Sequence, residues 1–264
     1  MHNLDLPVLV LLLAGAAASA HWRKLTPLAA ATGAVCGCAV YLGDGYRGLL
    51  LLALFFVLGT AATAWKKKEK RPIRGAAAHQ STRRASQVIA NGGVAAIAGL
   101  LAFFFPASRQ LFSLMLAASL SSATADTLSS ELGMVYGRRF FNILTLKADE
   151  RGLDGVISLE GLVLGVIGSA LIAAVFVIVP PSPASFFFAA AHNQASPVLS
   201  NARTVLSNGH AALILVVAGT VGNLVDSLLG ALLERRGLLN NDQVNFLNTL
   251  IAAACAAALA GIHV

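Results

Sequence analysis

Two aspartates, Asp126 in SSATADTLSSELG and Asp226 in GNLVDSLLGALLERRG, stand in stretches otherwise made of Leu, Val, Ala, Gly and Ser. At the centre of a membrane helix one ionisable side chain costs roughly 2.5–3.5 kcal/mol, so such a residue usually marks a substrate path, an ion path or a metal. Helical spacing puts Ser122, Asp126 and Ser130 on one face, and Gly222, Asp226 and Gly230 on another, with Asn223 adjacent. Asn241, Asn245 and Asn248 follow i, i+4, i+7, and Gln87 shares a face with Asn91. Glu131 leaves the Asp126 face, because five residues turn a regular helix about 140° from it. Either the helix breaks near residues 128–130 or Glu131 has another partner. Carboxylate and amide oxygens suit Mg²⁺, which binds through one or two carboxylates plus substrate phosphates. Asp126 and Asp226 are the expected metal ligands. The alternative for the amides is interhelical hydrogen bonding, worth about 1 kcal/mol or less each.

These residues need helices long enough to hold them at one depth. The 264-residue chain is 57% hydrophobic and 12% charged, with a mean hydropathy of +0.75. Soluble domains carry about 25% charged residues. Apolar runs near the ~20 residues of a membrane crossing recur along the chain, and their continuity excludes an alternating-strand barrel. The expected fold is an all-α polytopic transmembrane bundle of about eight spans (seven possible): 4–20, 26–42, 46–65, 85–105, 111–136, 155–179, 210–234 and 243–264. It reads as a single integral membrane domain over 1–264. Gly161 and Gly165 give one G-x-x-x-G packing motif. Cys36, Cys38 and Cys255 lie in apolar runs, have no histidine cluster to complete a zinc site, and read as small core residues.

The pI near 9.8 would point to nucleic acid in a soluble protein, but all 19 Lys and Arg except Arg47, Arg109 and Arg203 fall in four loops on alternate sides of the spans. The positive-inside rule places those loops in the cytoplasm and both termini outside. No nucleic-acid partner is expected. The segment KKKEKRPIRGAAAHQSTRR (66–84) is either an anchor on anionic lipid or a collar for an anionic substrate. SFFFAAA (185–191) is expected to lie on the membrane surface. With this orientation Gln87, Asn91, Asp126, Glu131, Ser158, Glu160, Asn223, Asp226, Asp242, Asn245 and Asn248 gather near the inner face, whereas the outer halves are nearly free of polar residues. His21 and His79 sit in loops, and His2, His192, His210 and His263 on the outer side, so no catalytic histidine is expected. No Walker, kinase or nucleophile-elbow signature is present. Arg83, Arg84, Arg138, Arg139, Lys147 and Arg151 flank the acidic residues. Carboxylate metal ligands beneath a ring of Arg and Lys is an arrangement suited to phosphoryl transfer.

The segments RRASQVIANGG, SSATADTLSSELG and GTVGNLVDSLLGALLERRGLLNNDQVNFLNT, in this order over 83–249, resemble the integral-membrane family of phytyl-phosphate kinase. Arg84, and the Glu150, Asp154 and Glu160 before and after Ser158, depart from its pattern. Residues 1–65 carry no such motif and form an N-terminal portion expected to vary. The resemblance implies a kinase that converts an isoprenyl (phytyl-like) monophosphate to its diphosphate, with a nucleoside triphosphate, CTP favoured, as donor. On that basis the catalytic residues are Asp126, Asp226 and Glu131, the cofactor is Mg²⁺, and the active site faces the cytoplasm from an inner or plasma membrane. Arg83, Gln87, Asn91, Arg138, Arg139, Ser158, Asn223, Asp242, Asn245 and Asn248 are the expected substrate and nucleotide contacts. A transporter or lipid scramblase using the same carboxylates is the alternative, disfavoured by the want of a second, outward-facing polar set. A CTP-dependent cytidylyltransferase is the other.

Overall fold

The computed structural model of the chain describes residues 5–70, 82–181 and 207–261. The expected surface segment 185–191, Arg203 and His2, His79, His192 and His263 lie outside the described residues. The helices are α1 (Leu6–His21), α2 (Pro27–Ala64), α3 (Lys67–Lys70), α4 (Ala85–Phe104), α5 (Arg109–Tyr136), α6 (Leu159–Ile178), α7 (Asn208–Leu229) and α8 (Asn241–Gly261). A π-helical turn, Gly230–Glu234, extends α7. Two short antiparallel strands, β1 (Phe141–Asn142) and β2 (Val156–Ile157), pair within the loop between α5 and α6. Six of the helices are long and apolar enough to cross a bilayer, and the protein is an all-α membrane bundle.

The segments expected at 26–42 and 46–65 form one element of 38 residues, α2. A straight helix of that length would span about 57 Å. Both of its ends nevertheless meet Arg83: the Thr26 amide donates to the Arg83 carbonyl at 3.0 Å, and a Cβ on Gly59 would stand 2.7 Å from the Arg83 guanidinium. The chain therefore doubles back, and it does so at Gly45, whose φ of 65° and ψ of −145° belong to a region open to glycine. With the two arms of α2 counted separately, α1 included and the four-residue α3 left out, eight helical segments result among the described residues. The first arm begins at Thr26, whose hydroxyl accepts the Ala29 amide at 3.2 Å, with Pro27 preset for the first turn.

α5 is the hub, packing against α2, α4, α6, α7 and α8. Its sequence explains the placement: small residues on every side admit neighbours closely, and several of the hydroxyls satisfy themselves on their own helix. Thr124 donates to the Leu120 carbonyl and Thr127 to that of Ala123. The G-x-x-x-G motif does pack a helix: Cβ atoms on Gly161 and Gly165 of α6 would approach the Ser129 and Ala125 carbonyls of α5 to 2.9 and 3.1 Å. The apolar core lies around Leu116, Leu120, Ile172 and Leu215. Large apolar side chains such as Leu28, Val35, Ile97 and Leu213 face outward, as lipid contact requires.

At the end opposite Arg83 the expected absence of polar groups does not hold. Arg47 pairs bidentately with Asp44 (2.9 and 2.7 Å) and donates to Ser113 at 2.7 Å, and the Ser113 hydroxyl lies 2.6 Å from Asp44. The three are buried, and Arg47 stacks 4.1 Å over the Phe176 ring. Arg47 is a helix residue of the second α2 arm, within the expected span 46–65. Gly43 and Gly45, which punctuate the sequence like a loop, produce a hairpin tip that buries this pair.

Candidate functional site: a carboxyl pair ringed by amides

Asp126 of α5 and Asp226 of α7 come together at the end of the bundle that carries Arg83. Their carboxyl groups hydrogen-bond each other, and each is half-buried. Two carboxylates at that separation repel unless a proton or a cation lies between them. Among the described residues no Lys or Arg forms an ion pair with either. Asn248 of α8, fully buried, donates to Asp226 Oδ2 at 2.6 Å, while its Oδ1 accepts the Ser122 hydroxyl at 3.0 Å. Asn245, one turn earlier, offers its Oδ1 at 3.4 Å from Asn248 Nδ2. Three helices therefore tie one carboxyl pair into one polar layer.

Asn223 stands one turn before Asp226, 2% exposed, and its Nδ2 has no hydrogen-bond partner among the described residues. An unsatisfied buried donor costs about 1–3 kcal/mol, so its retention calls for an explanation. It aims at Gly165, where a Cβ would sit 2.7 Å from Nδ2 and 3.1 Å from the Ala125 carbonyl. Gly165→Ala is expected to lower stability by about 1–3 kcal/mol and to displace Asn223. Comparison of thermal midpoints for the two proteins in nanodiscs checks this, and an unchanged midpoint would show that the gap at Gly165 is not filled by the amide.

The loop between α5 and α6 packs on the end of α7. Gly155, at φ 71°, packs on Ala231 of the π-helical turn, where any Cβ would collide with the Ala231 side chain and backbone. Arg235 fastens the loop, its Nε donating to the Asp154 carbonyl and its Nη2 pairing with Asp149 at 2.8 Å. The Glu150 amide and Arg235 together hold the Asp149 carboxyl below the usual carboxylate range. Asp154 lies close enough to Asp226, and Glu234 close enough to Asp126, for their charges to be felt. π-Helical turns interrupt α-helices frequently at functional sites, and this one begins one helical turn after Asp226, at Gly230.

Other expected contacts have local duties. Gln87 Oε1 accepts the Arg84 amide at 2.9 Å at the start of α4, and Asn91 Nδ2 donates to the Gln87 carbonyl at 3.0 Å. Ser158 is the N-cap of α6 and accepts the Gly161 amide at 3.1 Å. Asp242 sits in the first turn of α8, just after a reciprocal Asn240–Gln243 cap. Arg138 and Arg139 are exposed in the loop after α5, the Arg138 amide donating to Glu160 at 3.4 Å.

α5 runs unbroken from Arg109 to Tyr136, so the partner explanation holds: Lys70 Nζ pairs with Glu131 Oε2 at 2.6 Å, both side chains buried. Its carboxylate is thereby held by Lys70, and its charge is still felt at Asp126. Lys70 itself, Asp154, Glu234 and Arg235 are site residues that spacing along single helices does not reveal.

Fold and site together define an integral membrane protein with a carboxyl–amide centre at its basic end. The chain belongs to the family described as Integral membrane protein DUF92, whose profile matches residues 9–253. It is 30% identical over 210 residues to an uncharacterised membrane protein of Methanocaldococcus jannaschii, covering 78% of this chain and 74% of that one. An uncharacterised membrane protein of Synechocystis is 30% identical over 242 residues, 91% of this chain and 84% of its own. The chloroplastic protein VTE6 of Arabidopsis thaliana is 30% identical over 230 residues, 83% of this chain but only 60% of VTE6. No solved structure matches the chain significantly.

Proposed function

We propose that this protein is a Mg²⁺-dependent phosphotransferase that converts an isoprenyl monophosphate to its diphosphate, with CTP the favoured donor. The observation that carries the proposal is the contact between the Asp126 and Asp226 carboxyls, beside an end of the bundle rich in Arg and Lys. Family membership and the motif resemblance over 83–249 support it. The donor set fits a magnesium ion: two adjacent carboxyl groups with the Asn245 and Asn248 amides beside them. Among the described residues no third His, Cys, Asp or Glu joins them at metal-binding separation, which leaves the remaining positions to phosphate oxygens and water. When bound, the ion neutralises charge on the donor phosphates.

The chain's own residues position the reactants. Asn223 Nδ2, which has no hydrogen-bond partner among the described residues, would turn out of the Gly165 gap to donate to a phosphate oxygen. Arg83 and the exposed Arg138 and Arg139 meet the phosphates, and the isoprenyl tail lies among the helices. An oxygen of the acceptor phosphate attacks the γ-phosphorus of CTP. The bond from that phosphorus to the β–γ bridging oxygen breaks, and CDP leaves. The acceptor oxygen is already anionic at neutral pH, so no general base is needed, and orientation and charge neutralisation carry the rate. By the positive-inside rule the basic end faces the cytoplasm.

The deciding experiment supplies full-length protein in lipid nanodiscs with Mg²⁺, short and long isoprenyl monophosphates, and CTP labelled in parallel on the γ-phosphate and on cytidine. A γ-labelled isoprenyl diphosphate supports the kinase. A cytidine-labelled lipid replaces it with nucleotidyl transfer. A second reading, a transporter or scramblase, is favoured by one observation, the buried Asp44–Arg47–Ser113 set at the opposite end. No labelled lipid from folded protein, together with lipid flipping in liposomes, would establish that reading. Within the kinase reading, Asn91→Ala and Asn245→Ala are each expected to raise the Mg²⁺ concentration for half-maximal rate. An unchanged metal titration would assign both amides to helix packing alone.

A further inference from the structure

Among the described residues Lys70 is one of four buried charged side chains, 4% exposed although it sits in a run of lysines. Its Nζ donates to the Ala62 carbonyl at 2.9 Å, the Thr63 carbonyl at 3.1 Å and Glu131 Oε2 at 2.6 Å. All three ammonium hydrogens are thus assigned, so Lys70 has none left for a substrate. The carbonyls belong to the last turn of the second α2 arm, and Glu131 to the inner turn of α5. Gly59, one turn back from Thr63, is the residue against which the Arg83 guanidinium lies, and Thr63 donates to the Gly59 carbonyl at 2.9 Å. Thr127, next to Asp126, borders the same notch, with its Cγ2 3.5 Å from a Cβ placed on Gly59. Phe55 and Phe56 floor it, their ring centroids 5.6 and 6.0 Å from the Arg83 guanidinium carbon. The Glu131 charge favours the Arg83 cation against the desolvation that burial imposes.

We propose that Lys70 is a positioning residue: through its ion pair with Glu131 it fixes the carboxylate that holds Arg83 in the Gly59 notch, one residue from Asp126, where the guanidinium receives a phosphate. The inference rests on the phosphotransferase reading. Lys70 supplies position and Arg83 supplies contact. Without the ammonium, Glu131 is released from the α2 carbonyls and follows Arg83 out of the notch.

The test uses full-length K70M, K70R, E131D, R83A and the K70M/R83A double variant in nanodiscs. Steady-state rates are read against CTP and against the isoprenyl monophosphate separately, beside equilibrium binding of a fluorescent isoprenyl monophosphate without donor. K70M is expected to raise KM for one of the two phosphates about tenfold while kcat changes less than threefold, and K70R to restore it. The substrate whose KM moves identifies which phosphate Arg83 meets. In the R83A background K70M should add nothing, because it acts through Arg83. E131D keeps the charge and withdraws it by one methylene, so it answers the same question should K70M fail to fold. An unchanged KM in folded K70M and E131D, or additive losses in K70M/R83A, would overturn the proposal and leave the ion pair as packing. Wild-type protein that transfers nothing would overturn the phosphotransferase reading instead, and lipid-phosphate binding by K70M against wild type would still decide the role of Lys70.

Discussion

Asp226→Asn is expected to reduce phosphate transfer by roughly 10²–10³-fold or more while leaving the protein folded. The amide has the carboxylate's shape, and its oxygen can still accept the Asn248 Nδ2 hydrogen bond that ties α7 to α8. What changes is charge. One of two acidic groups in contact becomes neutral, so repulsion within the Asp126–Asp226 pair is relieved and the thermal midpoint should stay level or rise. A cation would keep one carboxylate ligand in place of two. Initial rates with γ-labelled CTP, read beside thermal unfolding of the same preparation, separate the two effects. Wild-type activity in the variant would remove Asp226 from any metal-holding role.

Arg47→Met should have the largest effect on stability. It strips the Asp44 carboxylate, 2% exposed, of both guanidinium hydrogen bonds and leaves a buried charge facing Ser113. Removing one member of such a pair costs about 3–5 kcal/mol, whereas replacing both with apolar residues of similar volume is often close to neutral. Asp44→Leu combined with Arg47→Met is therefore expected to recover most of the loss. Denaturant titration of the two variants and wild type in mixed micelles measures it. A single-variant loss below about 1 kcal/mol would mean that water already reaches the pair.

The helix count was legible because continuous apolar runs and charged loops repeat along the chain. The convergence of Asp126, Asp226, Asn245 and Asn248 was legible because depth in a bilayer follows from position in a span. Two things escaped for separate reasons. Lys70–Glu131 joins residues 61 apart across an interface that no single-helix periodicity encodes. Asp44 and Arg47, one helical turn apart, were visible as a pair, but Gly43 and Gly45 beside them look like a loop, and a loop implies solvent. Ser158 and the Asn240–Gln243 cap show the converse: an oxygen-bearing side chain three residues ahead of its partner at the head of an apolar run is first a helix start, so polarity alone overstates the number of ligand contacts. The loop carrying Asp154 packs on the π-helical turn at the end of α7, and composition does not announce that turn.

The hairpin at Gly45 also bears on how the chain is made. In the orientation proposed above, with the basic end in the cytoplasm, the tip must pass its charges through the apolar layer early in synthesis, before most of the bundle exists. Asp44 and Arg47 neutralise each other within a single turn, so the tip can travel as a net-uncharged unit without waiting for help. Ser113, 66 residues beyond Arg47, leaves the ribosome roughly 3–13 s later at 5–20 residues per second. The hydroxyl then closes a contact that was already electrically balanced. Spacing of three residues between opposite charges at the turn of a membrane hairpin is in this sense a provision for insertion, made before the rest of the bundle arrives to bury it.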